Sequence, residues 1–255
     1  MLFDILTIFP NIFDSYINES IIKRAREKKI IDIRIHNLRD YTRDAHKTVD
    51  EKPYGGGAGM VFKIEPIVRA VETILKKKSG TAKETTARFK IVLFSASGTQ
   101  FTRKVAQGWA RKYSRLIMIP GHYEGIDERV KKVLKAAAGS TPEEISIGPY
   151  VLTGGELPAM VVMDAVARHL PGALGNETSL EEKRGGIGIP VFTRPEIFEW
   201  RGRKYRVPAV CSPATIKKWM NGGKRIGMGN PSQPVSRPPL YASLREGLPQ
   251  DDEAI

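Results

Sequence analysis

The sequence predicts an α/β domain built on a mostly parallel sheet. Short apolar runs alternate with amphipathic helical stretches through the first two thirds of the chain, which is how a parallel sheet with covering helices is written. One run, Phe89–Phe94, is close to continuously apolar, as a central strand covered on both faces should be. Three Gly-punctuated turns, Gly121–Gly125, Ile147–Tyr150 and Thr153–Glu156, follow the short apolar runs Leu116–Ile119, Ile145–Ile147 and Tyr150–Leu152. Each run reads as a strand. Glycine lets backbone approach a ligand closely. Turns at the ends of neighbouring strands line small-molecule sites in α/β proteins. Taken singly, each is also what an ordinary connection looks like; together, with tyrosine, glutamate and aspartate among them, they predict one pocket.

The elements follow in order. Leu2–Phe9 is a buried strand stopped by Pro10. Asn11 is placed to cap a short helix through Tyr16, with Phe13 packing inward. Ser20–Lys29 has helical spacing, and its basic second half suits a helix C-terminus. Ile31–Ile35 alternates as a half-buried strand. Ile64–Lys78 is an amphipathic helix with Ile67, Val68, Val71, Ile74 and Leu75 on one side. Phe89–Phe94 runs into Ser95–Gln100, a fourth small-residue turn. Phe101–Lys112 is a helix and Leu116–Ile119 a strand. Asp127–Ala137 is a helix with acids first and bases later, matching its macrodipole. Thr153–Glu156 has capping-box spacing. Because proline is tolerated only in a first turn, Pro158 starts the next helix near Glu156, and it runs to His169 with Met160, Val161, Met163, Ala165 and Val166 packing. The acidic, then Gly-rich stretch from Gly175 to Pro195 reads as a linker. Beyond it lie apolar and basic patches, a helix at Ser212–Met220 and an acidic tail.

Composition narrows the partners. Forty-one Lys and Arg residues face 28 acids among 255 residues, for a net charge of +13 and a pI near 9.8. Such a chain is expected to meet a polyanion. It shows neither an apolar run of bilayer-spanning length nor a signal-peptide pattern, so no membrane association is expected. The single cysteine, Cys211, excludes an internal disulfide and suits a reducing cytosol. His36, His46, His122 and His169 have no ligand spacing, so no structural zinc site is expected.

Residues 37–59 are long and polar, as functional loops are. Arg39, Arg43, His46, Lys47 and Lys52 are interleaved with Tyr41 and Tyr54. Gripping an RNA backbone and stacking a base need that mixture. The Gly-rich PYGGGAGM lacks the GK[ST] ending of a phosphate loop, and Met60 stands where a third glycine of GxGxxG belongs. That argues against a nucleotide hydrolase.

The stretches ILTIFP, TVDEKPYGGGAGM, GHYEGIDERV, SIGPYVLTGGELPAM, HLPGALGN and FTRPE span nearly all of residues 1–200. In them the chain resembles the bacterial tRNA (guanine-N1)-methyltransferases of the SPOUT superfamily. The resemblance implies an α/β domain with a deep trefoil knot, a linker and a small helical domain, here at residues 1–172, 173–195 and 196–255. It also implies a cytoplasmic homodimer that moves a methyl group from S-adenosyl-L-methionine to N1 of guanosine 37 of tRNA, supporting reading-frame maintenance. A need for Mg2+ stays open.

Matched position by position, the cofactor pocket would use Phe94, Ser95, Gly121, Tyr123, Glu124 and Gly125. Ile147, Gly148, Tyr150, Leu152, Gly154, Gly155 and Pro158 would close it. Arg168 matches the arginine that steadies charge at guanine O6; as a residue it also suits a helix C-terminus. Asp50 matches an acid near the target base. Contacts to tRNA would come from Arg39, Arg43, His46, Lys47, Lys52, Tyr54, Arg194, Lys217 and Lys218.

The chain departs from the family where the base belongs. The family's aspartate falls on Lys183, preceded by Glu181 and Glu182, in a shorter linker. Either glutamate is then the candidate base, or simply part of a solvated acidic run. Ile-Gly-Asp-Tyr reads IGPY, with Pro149 in place of the acid. Ser-Pro-Gln-Gly reads SASG, and CSPATIKKW replaces the family's Ser-Gly-x-His. Two alternatives therefore remain: a SPOUT methyltransferase with another target nucleotide, or a catalytically impaired tRNA-binding relative.

Overall fold

The computed structural model describes residues 1–76, 88–174 and 192–207. The chain divides into two compact units, residues 1–177 and 178–255. In chain order the first unit contains β1 (Leu2–Thr7), a 3-10 turn (Pro10–Phe13), α1 (Asp14–Ile17), α2 (Ser20–Glu27), β2 (Asp32–Asn37) and a second 3-10 turn (Leu38–Tyr41). Next come the short strands β3 (Asp50–Glu51) and β4 (Val61–Phe62), then α3 (Ile64–Lys76) and β5 (Phe89–Gln100). It closes with α4 (Arg103–Lys112), β6 (Arg115–Ile119), α5 (Val130–Ala138), β7 (Glu143–Ser146) and α6 (Glu156–Ala167). The described part of the second unit is a hairpin of β8 (Ile197–Trp200) and β9 (Arg203–Arg206).

The main sheet has the order β2-β1-β6-β5-β7. Every neighbouring pair is parallel. Strand residues point alternately to the two faces, and each face has its own core. Phe3, Ile5, Val92, Leu116 and Met118 pack with Ile22, Trp109, Val162 and Met163 from α2, α4 and α6. Leu6, Ile91, Leu93, Ile117 and Ile119 pack with Ile67, Val71, Ile74 and Leu134 from α3 and α5. The result is a three-layer sandwich whose strands all end on one side.

Asp4 is an exception inside this core. It is fully buried on β1, where Oδ1 lies 2.7 Å from His36 Nε2 and Oδ2 accepts a 2.7 Å hydrogen bond from Arg115 Nε. His36 Nδ1 is in turn 2.9 Å from the Tyr41 hydroxyl. Burial pushes the Asp4 carboxyl up, but the hydrogen bonds and charges of His36 and Arg115 outweigh it and hold the carboxyl below its usual range. The network ties three strands to the turn that opens the polar segment.

Several sequence expectations need correction. Tyr150–Leu152 is not a strand; its residues are exposed, with Val151 at 86%, so no partner strand supports pairing. Ser95–Gln100 is not a free turn but the continuation of β5, with a register shift between Phe94 and Thr99. Gly98 allows it, because a Cβ there would come within 2.8 Å of the backbone of Glu144 and Ile145. Asp127 precedes α5 rather than opening it, and its carboxylate accepts from the Arg129 amide at 2.9 Å. The polar segment is not structureless, since it holds the second 3-10 turn and β3. Val161 does not pack inward; it is 46% exposed. The described start of residues 196–255 is a β-hairpin rather than helix. The helix expected at Ser212–Met220 lies outside the described residues.

Candidate active site

The parallel sheet sends the C-terminal ends of β1, β5, β6 and β7 to one edge, where open α/β sheets bind ligands. β6 ends at Ile119, and Pro120–Gly125 turns away. The turn needs positive φ at Tyr123 (58°) and Gly125 (121°), and the Gly125 amide closes it on His122 O at 3.1 Å. On its outer side β4 holds it: the Glu124 amide donates to Met60 O at 3.1 Å and the Phe62 amide to Gly125 O at 3.0 Å. On its inner side it meets the start of α6. His122 bridges Gly154, and the Gly155 amide donates to Gly121 O at 2.8 Å.

Gly155, not Thr153, is the N-cap of α6, and no side chain caps it. The capping box fails because Glu156 is used elsewhere. Its side chain is buried, and Oε1 accepts from Thr7 Oγ1 at 2.8 Å. Thr7 Oγ1 also receives the Phe9 amide at 2.9 Å. Glu156 Oε2 lies 4.0 Å from His122 Nδ1. That nitrogen is buried without a hydrogen-bond partner among the described residues, and its ring sits edge-on between Phe9 and Tyr123. The third turn leaves β7. Ser146 Oγ donates to Gly148 O at 2.9 Å, and the Tyr150 amide donates to the same oxygen at 2.9 Å. The Tyr150 ring lies against Gly148, where a Cβ would collide with it.

These pieces enclose a cleft of about 230 Å3. Phe94 and Ser95 at the β5 irregularity form one wall. Gly121, Tyr123, Glu124 and Gly125 form the second. Ile147, Gly148, Tyr150 and Leu152, with Gly154, Gly155 and Pro158, form the rest. All thirteen residues grouped in the sequence as a pocket thus border one cleft. Sequence reading missed Ala96, His122, Ile145, Ser146, Val151 and Thr153. Position within the quoted GHYEGIDERV and SIGPYVLTGGELPAM stretches would have caught His122, Ser146, Val151 and Thr153. Ala96 and Ile145 lie outside them.

The remaining candidates are dispersed. Asp50 pairs with Phe62, which bridges Ile126. Two strand spacings, about 10 Å, therefore separate the Asp50 and Ile126 backbones. Arg168 closes the far end of α6, ten residues beyond Pro158, so about 15 Å of helix rise separates it from the cleft. No ion pair engages its guanidinium among the described residues. The acid one turn earlier, Asp164, is taken by the Tyr16 hydroxyl, which raises the Tyr16 pKa through burial and that bond. Arg43, His46, Lys47, Lys52, Tyr54 and Arg194 are exposed, and Arg39 is half-buried. Glu181, Glu182, Lys183, Lys217 and Lys218 lie outside the described residues. Among the described residues no group of three or more His, Cys, Asp or Glu side chains is placed to hold a metal, and no helix is long and apolar enough to cross a membrane.

A parallel α/β sheet with a cleft of backbone turns at its C-terminal edge defines an α/β protein with a candidate small-molecule site. The family follows from comparison. The profile described as tRNA (Guanine-1)-methyltransferase TrmD matches residues 1–225, and the chain belongs to that family. A tRNA (guanine-N(1)-)-methyltransferase of Carboxydothermus hydrogenoformans is 47% identical over 221 residues, covering 86% of this chain and 79% of the relative. One from Dictyoglomus turgidum is 47% identical over 199 residues, 77% and 74% of the two chains. One from Thermomicrobium roseum is 46% identical over 224 residues, 86% and 77%.

Proposed function

We propose that the chain transfers a methyl group from S-adenosyl-L-methionine to N1 of guanosine 37 of tRNA, in the cytoplasm and as a homodimer. The carrying observation is the convergence of three Gly-built turns on one cleft, in a chain that belongs to a tRNA (guanine-1)-methyltransferase family. The cleft suits the donor. Apolar Phe94, Ile147, Leu152 and Pro158 would flank the adenine, backbone groups of the turns at Gly121 and Gly148 would meet its polar edge and the ribose, and Glu124 would face the cationic end. The donor supplies an electrophilic methyl group with its own leaving group.

The protein's share is positioning and proton removal. Guanine N1 carries a proton and is a poor nucleophile until a base takes it, and negative charge then builds toward O6. The base is Glu182, or its neighbour Glu181, standing in for the aspartate replaced by Lys183. Arg168 stabilises the charge at O6, and Asp50 assists beside the target base.

The homodimer reading rests on two observations. Arg168 stands a helix length away from the cleft of its own chain, so the partner's cleft is where it acts. Leu157 and Val161 on α6, with Ile12 and Tyr16 beside them, leave apolar side chains 37–56% exposed, as a surface awaiting a second copy does. The trefoil knot is part of the same proposal. The chain leaves the seam at Gly121, adds β7 beyond β5, and returns to pack Gly155 against Gly121. Residues 1–172 are the catalytic domain, 173–195 the linker carrying the base, and 196–255 the tRNA-binding domain; Arg194 at the end of the linker and Lys217 and Lys218 beyond it join the cations and Tyr54 of the polar segment.

The test is methyl transfer from labelled donor to an unmodified tRNA transcript with guanosine at position 37, the product mapped to the nucleotide and atom. Glu182→Gln or Glu181→Gln should lower the rate roughly 10²–10⁴-fold, and Arg168→Ala should lower it with donor binding intact. Transfer to another nucleotide, or donor binding without transfer, would overturn this assignment.

A further inference from the structure

The β8–β9 hairpin displays an aromatic face that the reading above does not use. The register pairs Phe198 with Tyr205, Glu199 with Lys204 and Trp200 with Arg203. Arg201 and Gly202 make the two-residue turn, both at positive φ (49° and 75°), as the tight hairpin turns that match strand twist require. Side chains alternate along each strand. Phe198, Trp200, Arg203 and Tyr205 therefore share one face, and the Glu199–Lys204 ion pair (3.1 Å) lies on the other.

The aromatic face is built but open. Phe198 and Trp200 have nearly parallel rings, 12° apart in plane with centroids 6.4 Å apart, and Tyr205 lies 6.4 Å from Phe198. The Arg201 guanidinium sits 5.8 Å from the Trp200 ring. A cross-strand aromatic cluster would by itself steady a hairpin. Here it leaves Phe198, Trp200 and Tyr205 at 54%, 57% and 50% exposure, so about half of each side chain is open to a partner. Charge selects the occupant. Residues 194–206 carry five cations (Arg194, Arg201, Arg203, Lys204, Arg206) against two acids (Glu196, Glu199). An acidic or apolar protein partner would satisfy only half of this surface. Single-stranded RNA satisfies both halves, because unpaired bases stack on aromatic rings while phosphates meet the flanking cations.

We propose that the face of Phe198, Trp200 and Tyr205, flanked by Arg201 and Arg203, is a stacking platform for unpaired bases of the tRNA substrate. The proposal rests on the tRNA reading above and adds how, and with which side chains, the second unit takes hold of the RNA.

The test uses the full chain and three RNAs: the tRNA transcript, a single-stranded oligonucleotide of its anticodon-loop sequence, and a duplex of that sequence. Trp200→Ala and Tyr205→Ala should each weaken binding to the tRNA and the single strand about 5- to 100-fold. Duplex affinity should be nearly unchanged. Trp200→Phe should recover most of the loss, since a ring remains. Arg203→Ala should instead lower the slope of log affinity against log salt by about one. An independent readout needs no disruptive variant: titrating wild type with the single strand should quench tryptophan emission, and Trp200→Phe should lose most of that quench. Equal RNA affinity for wild type and both alanine variants would overturn the platform, as would equal loss on duplex and single strand. A quench that persists in Trp200→Phe would do the same. Calorimetry with S-adenosylmethionine and methyl transfer, run in parallel, separate a failure of the platform from a failure of the methyltransferase reading. Platform variants should bind the donor as wild type does, whereas wild type that binds RNA without transferring methyl would leave the platform standing and remove the activity.

Discussion

Gly155→Ala tests whether the seam between the two central turns holds the cleft together. Gly155 has φ −86° and ψ 0°, which any residue adopts, so alanine brings no backbone strain. The cost comes from space alone. A Cβ would lie 2.7 Å from Pro120 Cα and 2.9 Å from the Gly121 nitrogen, against 3.4–4 Å for ordinary contact. Both neighbours are backbone atoms and cannot rotate aside. To restore ordinary contact the seam must open by 3.4 − 2.7 = 0.7 Å. Overpacking of that kind costs about 1–3 kcal/mol. Opening also strains the 2.8 Å bond from the Gly155 amide to Gly121 O, worth about 1 kcal/mol. The sum, about 2–4 kcal/mol, corresponds to roughly 4–16 °C in Tm for a chain of this size. Because the seam is a wall of the cleft, calorimetry should also show weaker binding of S-adenosylmethionine. Gly108→Ala is the matched control. Gly108 lies within α4 with nothing within 4 Å of its Cβ, so the same substitution should stabilise by about 0.5–1 kcal/mol and leave donor binding alone. A Gly155→Ala protein with wild-type Tm and wild-type donor affinity would refute the seam.

The other predictions concern the buried polar groups and the basic surface. Asp4→Asn leaves Arg115 and His36 without their carboxylate and should cost about 3–5 kcal/mol in denaturant unfolding. The Asp4 carboxyl is held below its usual value in the folded state. Its stabilisation is therefore present above the unfolded pKa of about 3.9 and is lost as pH falls through the folded value. Asp4→Asn should flatten that acid limb when stability is followed below about pH 5; an unchanged limb would show that other carboxylates make it. Thr7→Val keeps the shape of the side chain but removes the hydrogen bond to Glu156. It should destabilise by about 1–3 kcal/mol, with Thr7→Ser recovering most of the loss. Binding of tRNA should fall as salt rises, and Lys52→Ala or Arg43→Ala should each reduce the slope by about one; a slope unmoved by either would take the polar segment out of the interface.

Legibility in the sequence followed how local the physics is. The strand starting at Phe89 and the helix starting at Ile64 carry their apolar pattern in their own residues, so both were readable where they begin, although the strand continues to Gln100 rather than stopping at Phe94. The cleft was readable because glycine marks close approaches, and Gly148, Gly154 and Gly155, where a Cβ would come within 3.0 Å of a neighbour, all border it. What escaped depends on partners far away in the chain. Tyr150–Leu152 has strand-like residues but no neighbouring strand to pair with. Thr153 has capping spacing, yet Glu156 turns to Thr7, 149 residues away in sequence. No local pattern announces either outcome. Asp4 is the same case, an acid in an apolar run whose partners are 32 and 111 residues off.

The long-range bonds also explain why the cleft can be made of glycine without collapsing. Backbone turns rich in glycine lose much conformational freedom on folding, so they need anchors outside themselves. The Gly121–Gly125 turn is anchored from β4 through Met60 and Phe62 and from α6 through Gly155. Glu156, at the first turn of α6, is anchored to β1 through Thr7, and a carboxylate at a helix N-terminus also benefits from the helix dipole. The anchors reach three different elements, β4, α6 and β1. Loss of any one should therefore loosen the cleft before it unfolds the domain. Hydrogen exchange checks this directly. In Thr7→Val the amides of residues 121–125 and 155–159 should exchange faster while those of β1 and β6 keep wild-type protection; a uniform acceleration across the sheet would mean that the cleft and the core open as one unit.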